Sequence, residues 1–382
     1  MQCPRCLNTD PYYFYHGSRG WYCRRCISFG RAMLEEETES VSLNPVSEGS
    51  EEYVLRYPLT PEQKSVSDQC AHLIERTDVL LHCVCGAGKT ELVVQSISNM
   101  LRNRKKVCFA IPRRQVVLEL GERLSRYFPH AEVTAVCGGH TQKTDGDLII
   151  CTTHQLYRYY RAFDLLILDE PDSFPYRGSD VLHGIAETSC RGHRIYLTAT
   201  PDEELMQAVR EGRMKELSLN VRPHGHPLPE PVLFHAPKPF LLYRLIRWIG
   251  MHADHPRMIF VPTIRSAHRM HMFLKHLFPC YVCTSKTEDR DQVTENFRNE
   301  PAGIIIATTV LERGITIERA DVCVWQADHP VFDEAGLVQM AGRAGRSFAC
   351  PDGDVLFLLS EKSRTAENCL KQIREANLSC AV

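Results

Sequence analysis

Two short stretches of this chain carry side chains suited to phosphate chemistry. The first, Cys83-Val-Cys-Gly-Ala-Gly-Lys-Thr90, sets Gly86, Ala87 and Gly88 ahead of Lys89 and Thr90. Glycines there let successive backbone N–H groups curl around one anion. Lys89 would reach the β- and γ-phosphates, and Thr90 would place a hydroxyl on Mg²⁺. An apolar run, Val79–Val84, leads in and a helical pattern, Glu91–Leu101, leads out, so a positive helix N-terminus would face the same phosphates. The general pattern wants a glycine where this chain has Cys83. The second stretch, Leu165–Asp172, is an apolar strand ending in Asp169, Glu170 and Asp172. Asp169 would hold the magnesium through water, Glu170 would act as general base on an attacking water, and Asp172 would couple the site to neighbouring motifs.

A third cluster is metal chemistry. Cys3 and Cys6 form one Cys-x-x-Cys knuckle, and Cys23 and Cys26 form another sixteen residues on. Two knuckles at that spacing complete a closed tetrahedral zinc site, structural because no open position is left. Thirty residues cannot build a core, so the metal would hold them together. Tyr12, Tyr13, Phe14, Tyr15, Trp21 and Tyr22 lie between the knuckles and divide between core packing and a surface that stacks on bases or grips a partner. Cys280 and Cys283 share the spacing but lie in an apolar strand with no partner pair, and read as packing.

The elements that must position these residues follow from the pattern. At 382 residues the chain is too long for one ordinary domain. Residues 1–30 are the zinc module. Residues 31–52, rich in glutamate, read as an acidic linker. Beyond Tyr53, apolar runs alternate with amphipathic stretches, the signature of parallel sheets wrapped by helices. Six prolines between Arg222 and Pro239 separate two such regions, 53–220 and 221–382. The expected class is α/β, two tandem P-loop-type domains plus the small module. A net charge of −2 excludes a uniformly basic DNA-coating protein, not a motor with basic groups in one groove. Seventeen cysteines, an odd count in a long chain, argue against a disulfide scaffold and for reduced thiols in the cytosol. The start, Met1–Cys6, has no apolar leader, and no run of 18 apolar residues occurs, so a cytoplasmic protein is expected, with peripheral attachment at the inner face of the cell membrane left open.

The phosphate loop and acidic strand recur with further motifs in one order. Leu59-Thr-Pro-Glu-Gln63 precedes the loop, and Thr198-Ala-Thr200 follows the acidic strand. Ala307–Thr316 and Gln339-Met-Ala-Gly-Arg-Ala-Gly-Arg346 come later. This set resembles the superfamily 2 helicases of the DExD/H-box class, over residues 53–382. Cys83, Cys85 and Pro171 depart from the pattern without removing a required side chain. The resemblance implies two RecA-like domains with ATP between them and Gln63 reading the adenine edge. Thr198 and Thr200 would link hydrolysis to motion, and Gly314, with Glu312 and Arg313, would face nucleotide and nucleic acid. It also implies that Arg343 and Arg346 act as arginine fingers and that Gln339 orients water or Arg346. Nucleic-acid contacts would fall on Arg113 and Arg114, on Thr152, Thr153 and His154, and on Thr308 and Thr309, hydroxyls and N–H groups suited to sequence-independent backbone binding.

The zinc module and compact motor most resemble the bacterial late competence ATPases of natural transformation. That implies a single-stranded DNA-stimulated ATPase, a companion competence protein with a phosphoribosyltransferase-like fold, and a membrane DNA-uptake channel. A duplex-unwinding DNA or RNA helicase and a nucleic-acid-binding adaptor without motor activity are the alternatives.

Overall fold

Short apolar strands that must bury both faces pair side by side, and the helices between them cover those faces. In this computed structural model, residues 1–312, 317, 319–345 and 351–378 are described. The chain divides into two units, 1–83 with 88–219, and 84–87 with 220–382.

The first unit is built on seven parallel strands: β4 (Asp78–Cys83), β5 (Val107–Ile111), β6 (Val133–Val136), β7 (Leu148–Thr152), β8 (Phe163–Asp169), β9 (Cys190–Thr198) and β10 (Met214–Leu219). Their order is β10-β4-β9-β8-β5-β7-β6. β9 therefore lies between β4 and β8, pairing His82 with Thr198 on one side and Asp169 with Leu197 on the other. Parallel strands bring all their C-terminal ends to one edge, where ligands bind in such sheets. The phosphate loop, the acidic triplet, Thr198 and Thr152 gather at that edge.

Ahead of it, β1 (Phe14–Gly17), β2 (Gly20–Cys23) and β3 (Ala32–Met33) form a small antiparallel sheet. This sheet runs past residue 30, because Ala32 pairs with Cys23. The module is docked, not detached. Its four cysteines and Phe14 share one buried cluster with Leu156, Tyr159 and Ile185. Thr188 Oγ1 donates to Arg5 O at 2.7 Å, and Arg25 pairs with Asp180. Gly184 makes the approach possible, since a Cβ there would lie 2.1 Å from Cys6 O. Residues 34–52 contain no helix and lie along the unit. Val41 N donates to Arg158 O, Asn44 and Ser47 bond to Asp145 and Asp147, and Val46 is buried. The seven glutamates face outward or are half-buried, which is how an acidic stretch can line a surface without being a free tether.

The second unit is built on six parallel strands: β11 (Val232–His235), β12 (Arg257–Phe260), β13 (Cys280–Cys283), β14 (Ile304–Ala307), β15 (Asp321–Trp325) and β16 (Val355–Leu359), ordered β11-β16-β15-β12-β14-β13. The Pro-rich stretch, expected as a connector, contains β11. It pairs with β16 as an edge strand, the one place where flanking prolines cost no ladder bonds. Cys283 is buried in β13, and no helix among the described residues is long and apolar enough to cross a membrane.

Candidate functional site

The phosphate loop leaves β4 at Cys83, whose buried thiol is pushed up to about 11, the nearby Lys89 only partly opposing. Gly86 and Gly88 take φ of 85° and 80°, left-handed values open to glycine. Gly88 is also the cap of the helix Lys89–Leu92. A Cβ on Gly88 would sit 2.6 Å from Gln63 Nε2, so the carboxamide of Gln63 packs directly against the loop. Gln63 is buried and held by a capping box: its N–H donates to Thr60 Oγ1 at 3.3 Å and its Oε1 accepts from Thr60 N at 3.0 Å. Sequence reasoning missed two residues here. Arg123 donates to Thr90 Oγ1 at 2.8 Å, and Tyr127 donates to Glu91 Oε1 at 2.9 Å. They lie a full helix and strand beyond the loop, and no local pattern marks them.

At the end of β8 the backbone is pinned. Glu170 has φ 51°; its N–H donates to Leu197 O at 2.8 Å, and its carbonyl accepts from Ser173 N and Oγ. That turn aims Asp172 back under the sheet edge. Asp172 is buried and accepts from Thr198 Oγ1 at 2.5 Å and from Thr200 Oγ1 at 2.7 Å. Thr200 N in turn donates to Thr198 Oγ1 at 3.0 Å. The acidic motif and the Thr-x-Thr motif, twenty-six residues apart, form one bonded unit.

In the second unit Gln339 is buried in the helix Glu334–Ala341, and its Nε2 has no partner among the described residues. Arg343 is also buried, its Nε and Nη2 donating to Glu312 O at 3.0 and 2.9 Å. Thr308 and Thr309 follow the end of β14. Gly314 and Arg346, with Arg313, lie outside the described residues. Arg222, at the start of the Pro-rich stretch, is buried and donates to the carbonyls of Gly342, Ala344 and Gly345 at 3.4, 3.2 and 2.7 Å.

The expected nucleic-acid residues of the first unit surround the other end of the same sheet edge. Arg113 precedes the helix Arg114–Tyr127, and Arg114 Nε donates to Gly138 O. Thr152 and Thr153 are buried where β7 ends, while His154 is exposed. His154 tilts against Phe29 of the small module, ring centroids 6.1 Å apart. Together they border a cleft of about 410 Å³ that Arg25, Phe174, Arg177 and Leu182 also line. Phe174 is 87% exposed there, a large apolar ring held in water. Although His154 is largely open to water, partial desolvation pushes its imidazole pKa down, which favours the neutral ring. Among the module's own aromatics, Phe14 is buried, whereas Tyr12 and Tyr15 are exposed.

The four cysteines fit zinc. All are buried and their sulfurs lie within 4.8 Å of one another. Cys3–Cys26 and Cys6–Cys23 are each 3.8 Å apart. Tetrahedral Zn–S bonds of about 2.3 Å put sulfurs about 3.8 Å apart, whereas a disulfide needs about 2.05 Å. Hydrogen bonds from Cys26 and then Cys6 hold the Cys3 thiol far below its ordinary value, while the same contacts push Cys26 up. Such a cluster ionises fully only around a cation.

The chain matches two families: "Type III restriction enzyme, res subunit" over residues 56–203 and "Helicase conserved C-terminal domain" over residues 238–348. It is 34% identical over 392 residues to the competence protein ComFA of Streptococcus pneumoniae, covering 98% of this chain and 90% of that one. It is 34% identical to ComFA of Bacillus subtilis, covering 98% and 85%. Among solved structures, Saccharomyces cerevisiae Dbp5 bound to RNA and ADP BeF3 superposes with a TM-score of 0.65 at 16% identity, over 83% of this chain and 91% of that one. Mycobacterium smegmatis helicase Lhr bound to ssDNA and AMP-PNP gives 0.62 at 16% identity, over 84% and 48%. At these identities the structural likeness establishes the fold, two RecA-like domains.

Proposed function

The chain belongs to the competence protein ComFA family, and from that premise we propose that it is a single-stranded DNA translocase that helps draw transforming DNA into the cytosol. It carries the two helicase domains and is an ATP-hydrolysing enzyme that binds nucleic acid and serves competence. The observation that carries the motor reading is the Asp172–Thr198–Thr200 unit. It ties the acidic strand end to the segment leaving β9, so a change at the phosphates would be passed to the chain beyond Thr200.

In this reading Gly86, Ala87, Gly88 and Lys89 cradle the phosphates, and Gln63 positions the loop as well as the adenine. Thr90 and Asp169 would hold magnesium, which when bound offsets phosphate charge. Glu170, set by its pinned backbone, takes the proton of the attacking water. Arg343, held by the Glu312 carbonyl, and Arg346 act as the arginine fingers, and Gln339 orients water or Arg346. Thr152, Thr153, His154, Thr308 and Thr309 track the DNA backbone. Phe174 offers a stacking face beside the module. The zinc, bound by Cys3, Cys6, Cys23 and Cys26, is structural. A companion protein with a phosphoribosyltransferase-like fold and a membrane channel are the expected partners, which would place the motor at the inner face of the membrane.

The test is ATPase activity of the purified protein with and without single-stranded DNA, beside strand displacement on forked duplex. DNA-stimulated turnover without displacement supports translocation. Displacement would favour an unwinding helicase, and stimulated turnover surviving Lys89→Ala would overturn the motor reading.

A further inference from the structure

A second cluster of ligand-type side chains lies in the second unit, at the end of the sheet opposite the motifs. Asp321 opens β15, Asp354 immediately precedes β16, and His252 and His255 sit in the turn between the helix Lys238–Met251 and β12. This is the strands' N-terminal edge, whereas Thr308 follows the C-terminal end of β14.

Asp321 is buried, and its two oxygens are used differently. Oδ1 accepts from Asp354 N at 2.7 Å, which fixes the carboxylate plane. Oδ2 faces two imidazoles at once, His252 Nδ1 at 3.0 Å and His255 Nδ1 at 3.1 Å. The three atoms lie within 4.8 Å of one another. Bonds of about 2.0–2.1 Å from one tetrahedral ion to nitrogen and oxygen place neighbouring ligand atoms about 3.3–3.4 Å apart, so these atoms need open by only a few tenths of an ångström.

The far side of the His252 ring carries the second half of the pattern, whereas the carboxylate nearest the far side of His255 lies beyond hydrogen-bond length. His252 Nε2 lies 3.3 Å from Asp354 Oδ2, and His255 Nε2 lies 3.7 Å from Asp254 Oδ2. Asp354 is itself held by Trp248 Nε1, which donates to the same oxygen at 2.5 Å. A metal-bound histidine characteristically gives its other N–H to a carboxylate, which sets the tautomer and orients the ring. If instead each neutral histidine donated its own Nδ1–H to Asp321, His252 would present a bare lone pair to Asp354. Asp254, Asp321 and Asp354 gather here, with the Arg257 guanidinium close to Asp321 and Asp254.

We propose that His252, His255 and Asp321 hold a divalent transition-metal ion of the zinc class at this edge. Two neutral imidazoles and one carboxylate select zinc and its first-row neighbours over calcium or magnesium. The ion ties the end of the helix Lys238–Met251 to the starts of β15 and β16. Three protein ligands leave a position for water, but among the described residues the phosphate-loop and acidic motifs lie at the other end of their own sheet, so the role is to staple the unit.

The experiment is zinc content of the full chain equilibrated with micromolar free zinc and measured by mass spectrometry of the metal. Two zinc ions per chain are expected, falling to one in His252→Gln/His255→Gln and to one in Cys23→Ser/Cys26→Ser. One ion in the unaltered protein, or two retained in the double histidine variant, overturns the site. Cobalt titration of the unaltered chain gives a check independent of whether the variants fold. The first equivalent should bring thiolate-to-cobalt charge transfer and the second only weak visible bands. A single equivalent with thiolate bands alone would also overturn it.

Discussion

Replacing Gly184 by alanine isolates the docking of the zinc module without touching a metal ligand. Gly184 lies within the helix Asp180–Ser189, where glycine is ordinarily worse than alanine by about 1 kcal/mol. Propensity alone therefore expects stabilisation. Here the added Cβ would lie 2.1 Å from Cys6 O, 2.5 Å from Cys6 C and 2.9 Å from Cys6 Cα, all backbone atoms beside a metal knuckle. Ordinary contact begins near 3.4 Å, so the module must retreat by about 1.3 Å. Overpacking of that kind costs about 1–3 kcal/mol, and losing the Thr188–Arg5 bond adds about 1 kcal/mol. Arg25–Asp180 is half-open to water and adds little. The sum outweighs propensity and leaves a net loss of about 1–3 kcal/mol. Urea unfolding of the zinc-loaded full chain reads this as a lower midpoint. Gly250→Ala is the matched control. That glycine is also helical, nothing lies within 4 Å of its added Cβ, and the midpoint should rise by the equivalent of about 0.5–1 kcal/mol. If Gly184→Ala stabilises as Gly250→Ala does, the module is not seated on this helix and the docking argument fails.

Other expectations concern the motor. Lys89→Ala should abolish DNA-stimulated hydrolysis, measured as phosphate release. Thr200→Val removes one charge-assisted bond to Asp172, at a cost of about 1.5–3 kcal/mol. Basal hydrolysis should survive while DNA movement, followed by displacement of a bound strand-end label, falls; unchanged movement would deny Thr200 a coupling role. Phe174→Ala should weaken single-stranded DNA binding by about 1–3 kcal/mol at fixed salt without altering nucleotide affinity, and equal DNA affinity would remove the ring from the path. Chelation should release zinc and lower the unfolding midpoint of the first unit as well as the module, because they share one buried cluster. A midpoint insensitive to chelation would show that the cluster does not depend on the metal.

The phosphate loop, the acidic strand end and the paired cysteine knuckles were legible in the sequence because each completes its chemistry within a few consecutive residues. A glycine that must turn, a lysine suited to reach a phosphate and thiols spaced to share one cation are specified by local geometry and side-chain type. The alternation of apolar runs likewise announced two parallel sheets. Tertiary structure alone decided what depends on strand order. β9 falls between β4 and β8, and only that order hands Thr198 and Thr200 to Asp172. Gly184 reads as a weak spot in a helix until Cys6 is laid against it. Nothing around Arg222 in the sequence announces that the carbonyls of Cys85, Gly342, Ala344 and Gly345 converge on it. His252 and His255 meet Asp321 across some seventy residues, a juxtaposition that no spacing announces because the sheet makes it and the chain does not.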